Sequence, residues 1–361
     1  MTPKLTVLLA VHNGERWLAE ALESVLRQTW EDFELLVVDD GSRDRSVEIV
    51  TSYRDERIRL LRAEEHRGLA AALNRGLAHA RAELIARQDA DDVSDPRRFE
   101  RQLAFLDAHP DVALLGTWYR RIDASGRQVA TRRLPCEASL LRLALLFYCP
   151  FVHTSIMMRR VVARELGGYD EAIRYGEDFE LWSRIARRAP VANLPEVLVG
   201  MRVHETSMTS IMADLAAVEL PRICVENVRW VLARVGGGDI TAGDAQRLWS
   251  TLALPREDVA RRDGRGEVRS AAGRLLEAFA RAYRLESAER RGARDFLHEI
   301  LWRRRVEESE RCADVGDAAS AWRLLRDAIA LHPRGALHPR SLRLMRRAAG
   351  SVARRAVTRS R

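Results

Sequence analysis

The chain is poor in several features that would assign a class at once. Only four of its 361 residues are cysteine, namely Cys136, Cys149, Cys224 and Cys312. They are far apart and form no C-x-x-C pair, which excludes a zinc ribbon or dithiol redox centre. Free thiols of a reducing compartment are expected. Long apolar runs are missing too. The best of them, residues 140–152, is broken by Arg142 and Pro150 and falls short of the ~20 residues that span a bilayer. No basic segment precedes Leu5 and no A-x-A site follows the first apolar run, so a cytoplasmic location without a secretory leader is expected. Lys4 is the only lysine, and no acidic residue follows Asp327.

Those absences locate the charge. The formal net charge is +8, but nine arginines lie beyond Asp327, leaving 51 basic against 52 acidic groups before it. The body is therefore neutral and the excess is a tail. Within residues 341–357, Leu342, Met345, Ala349, Val352 and Ala356 recur at three- and four-residue steps between arginines. This is the pattern of a basic amphipathic helix that can lie on an anionic membrane, a peripheral attachment. No aromatic residues interleave with its arginines, which speaks against a nucleic-acid partner. With 47% hydrophobic and 31% charged residues, the rest has globular composition and room for two domains or one large one.

Residues 4 to about 210 alternate apolar runs with helical patterns. Leu5–Val11, Phe33–Asp39, 58–61 and 83–88 read as buried strands. Helices are expected from about Trp17 to Leu26, 44–53, 69–80 and 179–189. Such alternation predicts an α/β fold, a mostly parallel sheet flanked by helices with ligands beyond the carboxyl ends of the strands. Beyond Asp214 the strand signals vanish and helical patterns continue to the end. Residues 313–333 look like one tetratricopeptide-type hairpin, and a single such unit does not make a solenoid. The expected division is a catalytic domain over 1–212, an all-α C-terminal appendage over 213–333 and the arginine-rich tail over 334–361.

Three carboxylate groups punctuate the α/β part. Asp89, Asp91 and Asp92 directly follow the fourth strand, and three acids in four residues repel one another unless a cation joins them. Hard oxygen ligands at a sheet edge suit Mg²⁺ or Mn²⁺, with substrate phosphates completing the shell. The plainer reading, an acidic turn capping the next helix, fits Asp95 before Pro96 but not the three upstream acids. Asp39 and Asp40 end the second strand before Gly41 and Ser42, either as an ordinary turn or as an acceptor for a nucleobase or ribose. Glu177 and Asp178 open a helix, as N-terminal acids complementing its dipole or as a general base with its partner. His204 and His153 carry no signal of their own.

Taken together these blocks become specific. TVLLAVHNGERWLAEALESVLRQT (6–29), LVVDDGSRD (36–44), GLAAALNRG (68–76), IARQDADDVSDPRR (85–98), GGYDEAIRYGEDFELW (167–182) and RVHETS (202–207) occur in that order. Over residues 4–210 the chain resembles family 2 glycosyltransferases of the GT-A fold. The resemblance implies an inverting, non-processive enzyme moving a sugar from a nucleoside-diphosphate donor, most simply a UDP-sugar, to an acceptor hydroxyl. The context implied is cell-surface polysaccharide or glycolipid synthesis, on a glycan or lipid-linked acceptor. It places the nucleotide over Ala10, Val11 and His12, with Asp40 accepting from the base and Asp89 and Asp92 on the ribose or sugar side. Asp91 becomes the metal ligand with help from His204. Asp178 becomes the proton acceptor, with Glu177 as its partner. The Gln-x-x-Arg-Trp motif of processive synthases is absent. Two other readings are a sugar nucleotidyltransferase and an inactive nucleotide-sugar-binding module. The first expects a glycine-rich basic loop where this chain has His12-Asn13-Gly14-Glu15. The second is disfavoured by the presence of all three carboxylate groups.

Overall fold

The structure is a computed structural model that describes residues 2–236, 242–253, 264–314 and 317–345. It divides into two compact units, Met1–Ile223 and Cys224–Arg361.

The first unit opens with β1 (Leu5–Val11), α1 (Leu18–Leu26), β2 (Phe33–Asp39), α2 (Ser46–Ser52), β3 (Ile58–Arg62), α3 (Leu69–His79) and β4 (Leu84–Asp89). Every residue of β1 and β2 is buried, as expected for uninterrupted apolar strands covered on both faces. Leu18, Ala21, Leu22 and Val25 of α1 pack on that sheet with Leu5, Val7, Leu9 and Val11. On α3, a Cβ at Gly76 would lie 2.2 Å from Leu8 Cδ1, so only glycine lets this helix approach β1 so closely.

Next come β5 (Val93–Ser94), α4 (Arg98–Ala108), β6 (Leu114–Ile122), β7 (Gln128–Arg132), α5 (Ala138–Ala144), a 3-10 turn (His153–Ser155) and β8 (Met157–Arg159). The unit continues through α6 (Arg160–Glu165), α7 (Glu177–Arg188), β9 (Val191–Arg202), α8 (Met208–Ile211) and the start of α9 (Ala213–Gly236). The sheet has nine strands in the order β3-β2-β1-β4-β8-β6-β9-β5, with β7 paired to β6. Parallel pairing holds from β3 to β4 and again between β6 and β9. The β4–β8, β6–β8, β6–β7 and β5–β9 pairs are antiparallel. The parallel expectation thus describes the first half of a mixed sheet. The reversal enters through β8 and β5, whose three and two residues carry no periodicity to read, and through the β6–β7 pair. Pro96 does not sit at the first helical position. Asp95 instead accepts from Arg97 N at 3.0 Å in a turn, and α4 starts at Arg98.

The second unit, among its described residues, is helical. It contains the rest of α9, α10 (Ala242–Ala253), α11 (Gly264–Ala282), α12 (Ser287–Asp314) and α13 (Ala318–Leu331). Trp302 and Val306 of α12 pack with Leu325 and Ala328 of α13 and with Leu344 from the arginine-rich segment. Leu344, which is not part of the repeat in 341–357, is buried; of the repeat itself Leu342 is exposed and Met345 is half-buried against the same cluster. The remainder of that repeat, from residue 346 on, lies outside the described residues.

Candidate active site

The site grows from the carboxyl ends of β1, β2, β4 and β9. Register aligns Ala10 with Asp89 on one side and with Val38 on the other, so β1 brings the two acidic clusters to one edge. Ala10 and Val11 are buried, and Val11 O accepts from Asp40 N at 2.9 Å. His12 is exposed. Its Nδ1 donates to Asp40 O at 2.8 Å and its Nε2 accepts from Asn13 Nδ2 at 3.0 Å, which fixes the tautomer. The His66 ring stacks on it at 3.9 Å. Asp40 is turned inward. Its Oδ1 accepts from Arg67 N at 3.0 Å, and its Oδ2 accepts from Gly68 N and faces His66 Nδ1, both at 2.8 Å. In this arrangement Asp40 organises the turn before α3, and a base would have to share it.

The Asp89–Asp92 turn is held from several directions. Asp89 N donates to Thr154 Oγ1 at 3.1 Å, and Asp89 Oδ1 accepts from Arg87 Nη2 at 2.6 Å. Asp92 is buried and its Oδ1 accepts from Arg202 N at 2.7 Å. Burial, with Asp91 and Asp89 beside it, pushes the Asp92 carboxyl well above the usual range. Arg202 is buried as well. It donates from Nε to Asp91 O at 2.8 Å, from Nη1 to Asp123 O at 3.1 Å, and from Nη2 to Glu20 Oε2 at 2.5 Å. Asp92 therefore braces the turn.

Asp91 points to His204, with Oδ2 and Nε2 2.9 Å apart, and His204 Nδ1 meets Thr206 Oγ1 at 2.9 Å. The Trp17 ring lies 4.2 Å from the His204 ring. Two residues 113 positions apart thus converge where one divalent ion would be held. No group of three His, Cys, Asp or Glu side chains suited to a metal occurs among the described residues. The donor set fits an ion bound by one carboxylate and one imidazole, with substrate oxygens and water filling the shell. A nitrogen ligand suits Mn²⁺ better than Mg²⁺.

Glu177 and Asp178 are the first two residues of α7. Gly176 precedes them at φ +85°, and a Cβ there would meet Leu220 at 2.8 Å. Asp178 Oδ1 accepts from Phe179 N at 2.7 Å. Burial is the main cause raising Glu177 to about 7 and Asp178 to about 6; the Asp178 charge adds to the shift of Glu177, and the Asp89 charge adds to both. Tyr169 stands beside them, its hydroxyl 3.2 Å from His153 Nε2. Burial holds the His153 imidazole well below its usual range, hence neutral, and the Tyr169 phenol above its own. Asn74 clamps the Tyr169 backbone, accepting from its N at 2.8 Å and donating to its O at 2.9 Å.

A mixed sheet with a carboxylate turn at its edge, a facing Asp–His pair and an acid pair at a helix start is consistent with the GT-A fold. The family model described as glycosyl transferase family 2 matches residues 6–167. The amylovoran biosynthesis glycosyltransferase AmsE of Erwinia amylovora is 33% identical over 202 residues, covering 55% of this chain and 75% of that protein. The structure of S. aureus TarS 1-349 in complex with UDP-GlcNAc superposes with a TM-score of 0.54 at 19% identity, covering 85% and 91% of the two chains. The mannosyltransferase PcManGT of Pyrobaculum calidifontis, in complex with GDP-Man and Mn²⁺, gives 0.52 at 18% identity over 98% and 88%. The chain belongs to glycosyl transferase family 2 and is a glycosyltransferase of the GT-A fold.

Proposed function

We propose that the protein is a metal-dependent, inverting, non-processive glycosyltransferase. It moves a sugar from a nucleoside-diphosphate donor, a UDP-sugar first, to an acceptor hydroxyl in cell-surface polysaccharide or glycolipid synthesis. The observation that carries the reading is the Glu177–Asp178 pair at the start of α7, Glu177 buried and Asp178 half-buried, with Asp178 raised to about 6 by desolvation. A carboxylate with that midpoint is ionised at neutral pH yet basic enough to accept a hydroxyl proton. AmsE supports the polysaccharide context by its name, and the donors bound to the TarS and PcManGT structures support a nucleotide-sugar.

In the reaction the acceptor oxygen attacks the anomeric carbon as the bond to the diphosphate breaks. The bonding electrons leave with the diphosphate and the acceptor proton passes to Asp178. Attack opposite the leaving group inverts the centre. Asp91 and His204 would hold the divalent ion, which supplies Lewis-acid neutralisation of the departing diphosphate. The exposed imidazole of His12, fixed by Asp40 and Asn13 and stacked on one side by His66, would offer its other face to the base. The nucleotidyltransferase reading loses ground at the loop after β1. There the N–H groups of Asn13, Gly14 and Glu15 already donate to Ser42, Ser46 and Asp44 side chains, leaving no backbone cradle for a triphosphate.

A thermal-shift screen of nucleotide-sugars with Mn²⁺ tests this. One donor class should raise Tm in proportion to its affinity. Calorimetry should then show Mn²⁺-dependent binding that Asp91→Ala removes. Binding indifferent to both the ion and the substitution contradicts the metal assignment.

A further inference from the structure

We propose that His66 is a positioning residue of the nucleotide site. It backs the His12 ring, and with Asp40 it builds a two-imidazole platform on which the nucleobase of the donor stacks. This deepens, and rests on, the reading that the nucleotide lies over His12.

His12 follows β1 and His66 follows β3, two strands separated in the sheet by β2. Asp40, just beyond the end of β2, joins them through its backbone and its side chain. Its carbonyl oxygen accepts from His12 Nδ1, and its carboxylate Oδ2 lies against His66 Nδ1, each at 2.8 Å. The two rings are thereby brought face to face, with 3.9 Å between centroids and 26° between planes. The backbone around His66 is pinned on both sides. After it, Arg67 N and Gly68 N donate to the same Asp40 carboxylate. Before it, the loop runs against Gly41, which has φ +73°. A Cβ there would lie 2.8 Å from Glu65 C and from His66 N, so only glycine lets the loop pass this close. The Asp40–Gly41 turn is therefore shaped to receive His66.

Burial does not hold this imidazole, because its side chain is 55% exposed. What holds it is Asp40 and the stack, and the stack in turn holds His12. An exposed ring normally samples several rotamers, and a ligand that stacks on it must meet the cost of ordering it. Here the bonds of His12 to Asp40 and Asn13, and the ring behind it, remove that freedom in advance. Stacking is a contact that any nucleobase can make. An imidazole alone is a small platform for it, and a second ring keeps the first from tilting. His66 also covers one face of His12 and so decides which face the base takes. With His66, Arg67 N and Gly68 N already on its carboxylate, Asp40 serves the base through the two rings rather than by direct contact.

The test is calorimetry on the full-length protein with Mn²⁺, with UDP and inorganic pyrophosphate as probes. GDP replaces UDP if the wild type binds it more tightly. His66→Ala should weaken nucleotide binding about three- to tenfold and leave pyrophosphate, which has no base, unchanged. His66→Phe keeps a ring behind His12 and should recover part of the loss. His66→Gln keeps a donor for Asp40 but no ring, and should weaken nucleotide binding even if His66→Ala does not fold. On a His12→Ala background, His66→Ala should have no further effect, because His66 acts through that ring. A merely structural role would still show there and would weaken pyrophosphate as well. Nucleotide affinity unchanged in both His66→Ala and His66→Gln overturns the proposal. So does tighter binding, since His66 would then be occupying the place of the base. Failure of the underlying reading has a different signature. His12→Ala would leave nucleotide affinity at the wild-type value, or the wild type would bind neither nucleotide, and the platform would fall with it.

Discussion

At the residue scale, the informative side chains are those whose burial conflicts with their charge. Asp178 and Glu177 are raised in the folded protein to about 6 and about 7, above ordinary carboxylate values. Their protonated forms are favoured by the fold, so this contribution to stability is full below about pH 4. It is lost as pH rises through the two folded midpoints. Asp178→Asn removes that loss while keeping an oxygen that can accept from Phe179 N. Its unfolding free energy should exceed that of the wild type at pH 8 by about 2 kcal/mol and by much less at pH 4.5, as read by urea titration. A gain equal at both pH values would mean that the carboxyl is not strained by its surroundings. These acids were legible in the sequence as a motif. Arg87, Arg98 and Arg202 were not, because an arginine in a string resembles any other in a chain rich in them. The one available signal was position: Arg87 is two residues before Asp89, hence on its face of a strand.

Elements differ in how far local pattern defines them. β1 to β4 were readable because each is a short apolar run bounded by turn residues, buried in β1, β2 and most of β4 and half-buried in the edge strand β3, and crossover helices force them parallel. Beyond β4 the order of strands depends on pairings between residues far apart, such as Asp89 and Asp92 of one turn with Thr154 and Arg202. No local periodicity encodes these. The acidic turn was legible as a cluster, yet its split into a buried Asp92 bonded to Arg202 N and an Asp91 facing His204 required β9 to arrive beside it. Asp40 likewise reads as a base acceptor in one dimension and proves engaged with the turn before α3. The segment before α7 depends on three glycines with positive φ, Gly167, Gly168 and Gly176. Gly168 has φ +74°, and a Cβ there would lie 2.4 Å from Asn74 Oδ1, the atom that receives Tyr169 N. Gly168→Ala should cost about 1–3 kcal/mol by strain and by breaking that clamp. It should also lower turnover more than donor affinity, because Tyr169 stands beside the acid pair. Wild-type stability and kcat in this variant would show that the clamp is dispensable.

On the scale of the whole molecule, the +8 charge is a neutral enzyme carrying a positive segment, and no helix among the described residues is long and apolar enough to cross a membrane. The arginine-rich segment is not all of one kind. Leu344 is buried with Trp302 and Leu325, and a Cβ at Gly335 would collide with the Trp302 ring at 2.3 Å, so residues 333–345 belong to the helical unit. We therefore predict that ending the chain after Met345 leaves Tm unchanged and abolishes salt-sensitive binding to anionic vesicles. Ending it at Pro333 should lower Tm as well. Vesicle binding that survives the shorter deletion would rule out the six terminal arginines as the anchor. The central claim, sugar transfer with Asp178 as the base, has a more direct test. Donor affinity by calorimetry and sugar transfer should be measured together for the wild type and Asp178→Asn, with the donor identified by the screen. The account predicts donor binding within about twofold of wild type and transfer reduced by roughly 10²–10⁴. Transfer at the wild-type rate in Asp178→Asn would contradict it.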